Sequence, residues 1–365
     1  VTSRVRDAVV VGGGPAGLAF AAAAAERGLS VSVLEKGSGP PDKACGEGIL
    51  PAGLRALDAL GVLPLLSPAD AVPFREIRWF DPSGATVHVP LPAPGGLGVR
   101  RTALAAALAS RAARAGVEVV HGAEVRSHAR AGDRVVATTA EGRRFEARVL
   151  VAADGLASAV RRREGLDAPA SARARYGLRR HFAVPPWADA VEVHFADGCE
   201  AYVTPAGTRR VGVAILFERD AGARYDEMLR RFPGLAALLD GAPYDSAPRG
   251  AGPLARSARA RVADRLVLLG DAAGYLDAVT GEGVSLALGC ALDLAALLPD
   301  ALARGAGADA LRPYERAWAA RFRPYAAWTR TMLAVTRRPR LRRALLSLVE
   351  SRSVVLERLV ERAVG

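Results

Sequence analysis

Residues 9–20 read VVVGGGPAGLAF, three valines running into a glycine cluster and then a stretch of small residues. Gly12, Gly14 and Gly17 give the spacing G-x-G-x-x-G, with a strand pattern before it (5–11) and a helix pattern after it (15–28). In that context the first glycine permits a tight turn and the second lets backbone approach a pyrophosphate. The third lets helix and strand pack closely. The helix N-terminus adds free N–H groups and a partial positive charge for the phosphates. A second strand, 31–35, ends in Glu35, whose carboxylate can accept from a ribose hydroxyl, with Lys36 beside it. A 2′-phosphate would be repelled there. The turn therefore calls for FAD or NAD rather than NADP.

Three downstream stretches separate those two. GDAAG (270–274) follows the strand pattern RLVLLGD, and its small residues allow close approach to a flat ligand. Asp271 in it can hydrogen-bond a polyol hydroxyl, which the ribityl chain of FAD offers and NAD does not. In TGEGVSLAL (280–288), Gly281 and Gly283 open a helix whose dipole would favour negative charge on a reduced flavin ring. VAADGLASAVRR (151–162) places Asp154 and Gly155 ahead of a serine and two arginines. Asp-Gly is also a common turn and Gly-Asp a common cap, so the order of the three stretches carries the argument.

Composition excludes several classes. The chain has 365 residues, half of them apolar, enough for a large core. Its net charge of +12 invites a nucleic-acid reading, but among 50 basic residues only Lys36 and Lys43 are lysines, which points to codon bias. Basic residues are scattered and aromatics make up only 5%, so no nucleic-acid partner is expected. Cys45, Cys199 and Cys290 lack metal-ligand spacing; no metal is expected, and a reducing cytoplasm fits. No secretory signal is read before the first strand. No uncharged apolar run approaches the ~20 residues of a membrane span. The nearest candidate, 284–298, carries Asp293.

Along the chain, helix patterns occupy 51–62 and 101–116, and 74–91 alternates around a Pro-Ser-Gly turn as a hairpin does. Strand patterns recur at 117–120, 133–139 and 145–153, and dominate 171–220. Helical patterns return at 224–240, from about 282, and from Leu311 onward. The expected fold is α/β, α+β overall. A Rossmann-like FAD-binding domain is assembled from 1–72, 96–170 and 255–310. A mostly β substrate domain comes from 73–95 and 171–254, with a helical region at 311–365.

These residues resemble the FAD-dependent oxidoreductases of the p-hydroxybenzoate hydroxylase-like superfamily, over roughly residues 5–300. The resemblance implies that Gly12, Gly14, Ala16 and Gly17 hold the FAD pyrophosphate, with Glu35 and Lys36 near the adenosine ribose. Arg101 resembles the arginine that reaches the phosphate and ribityl region, and Val125 the residue whose backbone meets adenine. Asp154 and Gly155 resemble the second acidic motif, near the flavin and the nicotinamide donor. Gly270 and Asp271 resemble the ribityl-binding pair. DKACGEGI (42–49) is similar to the loop of the geranylgeranyl reductase-like branch, which places Cys45 and Gly46 beside the flavin with Gly281 and Gly283. That branch commonly has a proline before its Gly-Glu-Gly turn, absent from DAVTGEG. EAYVTPAG (200–207) keeps Tyr202 and Pro205 of its lipid-binding strand without the tryptophan. The paired W-x-W of the halogenases is absent, which disfavours halogenation.

Two enzyme chemistries stay open, and one non-enzyme role. The preferred one is a monooxygenase, a hydroxylase or epoxidase of a hydrophobic natural product such as a phenolic polyketide or polyprenyl compound, using NADH or NADPH and O₂. The alternative is reduction of isoprenoid C=C bonds, which needs a proton donor; Cys45, Glu47 and Glu282 are the candidates. Cys45 also fits as a small buried packing residue, and the two glutamates as helix caps. Tyr202, His181 and His194 are candidates for the substrate pocket. The basic tail 336–365 is a candidate peripheral membrane contact, and a flavin-bearing membrane-bound binding protein is the third reading.

Overall fold

The computed structural model describes residues 5–169, 175–218 and 224–350. Its first sheet runs Val262–Ala263, Leu266–Leu268, Arg144–Ala152, Arg6–Val11, Val31–Glu35, Glu118–His121. From Leu266–Leu268 to Glu118–His121 neighbouring strands are parallel. Such strands are covered on both faces, which is why Val9, Val10, Val149 and Val151 are all buried. The helix Pro15–Ala25 is buried from Pro15 to Ala24, and its small side chains let helices Arg101–Arg114 and Gly283–Ala303 approach it closely. It stops before residue 28 because Gly28, at φ +81°, turns the chain left-handed.

The strand Val125–Ala131, mostly exposed at the sheet edge, was not among the expected elements. The strand expected at 265–271 shortens to Leu266–Leu268, because Gly270 at φ +62° opens a single helical turn, Gly270–Ala272. The final helical region begins earlier than expected, at Ala308, in a helix running to Thr336. Gly283–Ala303 is long and apolar enough to cross a membrane by length and composition. Here it packs against Pro15–Ala25, Pro51–Ala59 and Ala308–Thr336, and Asp293 Oδ1 accepts from Arg321 at 2.9 Å. It is a core helix.

The second sheet is ordered Arg249–Ala251, Arg175–Phe182, Val211–Glu218, Cys199–Pro205, Ala190–Ala196, Glu76–Phe80, Thr86–Pro90. Its two faces have different fates. Ala201, Val203, Val213, Ile215 and Phe217 pack against Tyr225, Met228 and Leu235 of the helices Tyr225–Leu229 and Pro233–Leu238, and against Phe232 between them. The alternate positions, among them Tyr202, Ala214, Leu216, Val191 and Val193, face a cavity toward the first sheet. A small sheet of Gly48–Ile49, Gly96–Val99 and Ala71–Phe74 lies between the two large ones in the chain order. Of the tail 336–365, residues 351–365 lie outside the described residues. The helix Pro339–Glu350 lies against the strand Thr86–Pro90.

Candidate cofactor and substrate site

A single cavity of about 500 Å³ runs from the glycine turn to the open face of the second sheet. At the turn, a Cβ on Gly12 would lie 2.4 Å from the Ala153 carbonyl oxygen, and one on Gly17 would lie 2.2 Å from that of Gly12. Neither clash can relax, since both partners are backbone. Gly14 has nothing within 4 Å of such an atom and presents bare backbone to the cavity, beside Ala16. Glu35 is buried below; its Oε2 accepts from Gly13 N at 2.7 Å and its Oε1 from Gly37 N at 2.9 Å. Ala123 N donates to the Glu35 carbonyl, which brings buried Val125 next to the same turn. Gly12, Gly17, Glu35 and Val125 shape this end from beneath, while Gly14, Ala16 and Lys36 line it.

Three cations gather there: Lys36, Lys43 and Arg101. Burial, with Arg101 nearby, pushes the Lys43 ammonium below the usual lysine range, against the pull of Glu35 and Asp271. Burial likewise raises the Asp271 carboxyl, against Arg101, Lys43 and Arg161. Asp154 Oδ2 accepts from Ala159 N (2.8 Å) and Val160 N (3.2 Å), capping a short helix, while its Oδ1 is buried with no partner among the described residues. Arg101 Nε is buried and unpartnered in the same sense. Arg161 donates to the carbonyls of Leu156 (2.9 Å) and Ala272 (2.9 Å), stitching the Asp154–Gly155 loop to Gly270–Asp271. Gly270 leaves no room for a side chain, since a Cβ would lie 2.9 Å from that of Ala16. Bare backbone, gathered cations and orphaned polar atoms fit a dinucleotide carrying a pyrophosphate and a polyol chain.

The loop 42–48 crosses the middle of the cavity, with Cys45 and Gly46 lining it. Glu47 sits in a left-handed conformation (φ +60°) with both carboxylate oxygens engaged. Its Oε1 accepts from Arg101 N at 2.9 Å, and its Oε2 accepts from His181 Nε2 at 2.5 Å. The expectation of Glu47 as a free proton donor is thereby corrected: it fixes the loop. His181 is corrected too. It lies on the cavity side of its strand, but the loop covers it and it is fully buried. Gly212 makes room for the pair, since a Cβ there would lie 3.2 Å from Glu47 Oε2. His181 Nδ1 lies 2.8 Å from Ser246 Oγ and 3.0 Å from Arg179 Nη1, and Arg100 Nη1 contacts both ring nitrogens, surroundings that favour the neutral ring. Burial, reinforced by Arg179 and Arg100, lowers its pKa against the pull of Glu47. Arg179 also holds Asp42 and the Lys43 carbonyl. His194 misses the cavity for a different reason: Val193 and Phe195 line it, so His194 points away, stacked on Phe80 with Nε2 3.1 Å from Glu192.

Farther in, Gly270, Asp271, Gly281 and Gly283 line one wall and Tyr202 another. Tyr202 donates to the Val279 carbonyl at 3.1 Å. The segment leading to Gly281 is held by a buried ion cluster. Arg175 bonds Glu200 and Asp277, and Asp277 Oδ1 also accepts from Val279 N at 3.0 Å. Glu282, between the two glycines, does not line the cavity itself. Its Oε2 is buried with no partner among the described residues, and burial raises its pKa to about 7. Beyond Tyr202 the cavity becomes an apolar chamber walled by Phe74, Trp79, Val193, Phe195, Leu216, Trp328 and Met332. Arg161 is one of the two arginines of VAADGLASAVRR, whereas Lys43, the ion cluster and most chamber residues were not singled out from sequence. Lys43 carried a signal nonetheless, as one of only two lysines in an arginine-rich chain.

Residues 6–228 match the family described as FAD binding domain. The chain is 31% identical over 341 residues to digeranylgeranylglycerophospholipid reductase 1 of Methanopyrus kandleri, covering 87% of each. It is 29% identical over 303 residues to menaquinone reductase of Mycobacterium tuberculosis, covering 77% of this chain and 74% of the relative. Among solved structures it resembles the flavin-dependent brominase Bmp2, with TM-score 0.83 and 18% identity over 99% of this chain and 94% of that one. That likeness shows the fold.

Proposed function

The chain belongs to the FAD-dependent oxidoreductases of the p-hydroxybenzoate hydroxylase-like superfamily, on its geranylgeranyl reductase-like side, and from that premise we propose that it reduces C=C bonds of a polyprenyl substrate. The observation that carries this reading is the continuity of the cavity, from a backbone-lined turn to a chamber walled mainly by apolar side chains. A relative described as acting on a digeranylgeranyl lipid supports the substrate class.

Gly14, Ala16, Lys36, Lys43, Arg101, Asp154 and Asp271 would hold FAD, with Cys45, Gly46, Gly281 and Gly283 beside its ring. Bound there, the flavin supplies two-electron hydride chemistry. The remaining work is the protein's own. The chamber excludes water and orients a chain by shape, as a flexible apolar substrate offers nothing else to grip. Glu282, whose Oε2 is buried behind the cavity-lining Gly281 and Gly283, titrates at about 7 because burial resists ionisation, against a hydrogen bond from Thr280. Glu47 and Arg179 fix the loop carrying Cys45. NADH or NADPH is the proposed external donor.

The test is anaerobic. FAD-loaded protein reduced with dithionite is mixed with a digeranylgeranylglycerophospholipid. Return of the flavin colour with a saturated product supports reduction. Product that forms only in air and carries added oxygen would instead establish the monooxygenase reading.

A further inference from the structure

The tail helix Pro339–Glu350 reads in sequence as a basic surface element, yet Arg342 and Leu346 in it are buried. Arg342 Nε donates to Asp81 Oδ2 at 2.7 Å, at the turn of the hairpin formed by Glu76–Phe80 and Thr86–Pro90. The same guanidinium lies 4.9 Å over the Phe195 ring, and Nη1 donates to the Thr336 carbonyl at 3.2 Å. Phe195, Thr336 and the hairpin residue Trp79 all line the chamber. One arginine thus ties two adjacent strands of the second sheet to the end of the helix Ala308–Thr336. Four residues along the helix, Leu346 packs with Leu50, Phe74 and Val89, which also line it.

Asp81 is prepared for this contact. Its Oδ1 accepts from Ser83 N at 3.0 Å and Ser83 Oγ at 2.7 Å, leaving Oδ2 for the arginine. Arg337, at the start of the tail, pairs with Glu218 at 2.7 Å and anchors the junction to the second sheet. A surface helix needs none of this. A buried ion pair spanning 261 residues of sequence is a costly device, and its location is the chamber's wall.

We propose that Arg342, reaching back from the tail helix to Asp81, fixes the far wall of the chamber and so limits the length of apolar chain it accepts. The proposal rests on the polyprenyl reading and adds a specificity-determining residue to it. Substrates longer than the limit are excluded by the tail, and losing the clasp lets the wall give.

The test uses FAD-loaded full-length protein and straight-chain alcohols from octanol to eicosanol, read by quenching of the chamber tryptophans, Trp79 and Trp328. In the wild type each added methylene tightens binding about fourfold until a ceiling is reached. In Arg342→Met, and in Leu346→Ala, which keeps the ion pair, the ceiling moves to chains about two carbons longer or more. Binding of octanol stays unchanged in both. A ceiling identical to wild type in the folded variants overturns the proposal, and Leu346→Ala decides alone if Arg342→Met does not fold. A wild type with no chain-length dependence overturns the polyprenyl reading itself, and the wall with it.

Discussion

The two ends of the cavity are built in opposite ways. The glycine-turn end is made of backbone: Gly14 bares the chain, Gly12 and Gly17 let segments touch, and Lys36, Lys43 and Arg101 add charge. The apolar end is made of side chains, contributed from Leu50 to Met332 by strands and helices far apart in sequence. A ligand gripped by backbone forces glycines into fixed order, because the chain itself must approach it. A ligand gripped by apolar side chains needs only shape and volume, which many sequences supply. The first kind of site leaves a linear signature and the second does not.

Substitutions at the two ends should therefore fail differently. The largest effect is expected from Gly12→Ala, which adds a Cβ 2.4 Å from a carbonyl oxygen at a φ of +110°. Overpacking against backbone costs about 3 kcal/mol, so flavin affinity should fall about hundredfold, measured by FAD titration of the apoprotein. Glu282→Gln should lower turnover about hundredfold while leaving the bound flavin spectrum intact. Wild-type turnover should decline as pH rises through about 7, where the raised carboxyl loses its proton, and the variant should lose that limb. The same ionisation opposes folding: the carboxyl's contribution is fully present below its unfolded pKa and is lost as pH rises through about 7.

Ala214→Phe fills the chamber from the strand Val211–Glu218. It should weaken binding of a prenyl alcohol about tenfold, by displacing methylenes, with flavin uptake unchanged. A loss of flavin in that variant would break the contrast between the ends. The smallest effect is expected from Tyr202→Phe, which removes one hydrogen bond, to Val279. It should cost about 1 kcal/mol in thermal unfolding, with little change in flavin affinity.

The fold was legible because its signals are local. VVVGGGPAGLAF holds strand, turn and helix within a dozen residues, and the hairpin at 74–91 announces itself by alternation about Pro-Ser-Gly. Glu47 and His181 were misjudged because residue type alone cannot show what covers a side chain. His181 sits on the cavity side of its strand, yet the loop bearing Glu47 lies over it. His194 failed by strand parity, legible only once Val193 and Phe195 are known to face inward. The ion cluster joins Arg175 to Glu200, 25 positions away, and to Asp277, 102 positions away, and leaves no local trace. Arg342 was hidden among exposed arginines whose composition resembles its own.

That one cavity joins a flavin site to an apolar chamber is tested most directly by the visible spectrum of the FAD-loaded protein during titration with geranylgeraniol. The account predicts a shift of the flavin band that saturates at one ligand per flavin and is lost in Ala214→Phe while the flavin stays bound. Saturable binding of the alcohol with an unmoved flavin spectrum, or a chain that takes up no FAD, would contradict it.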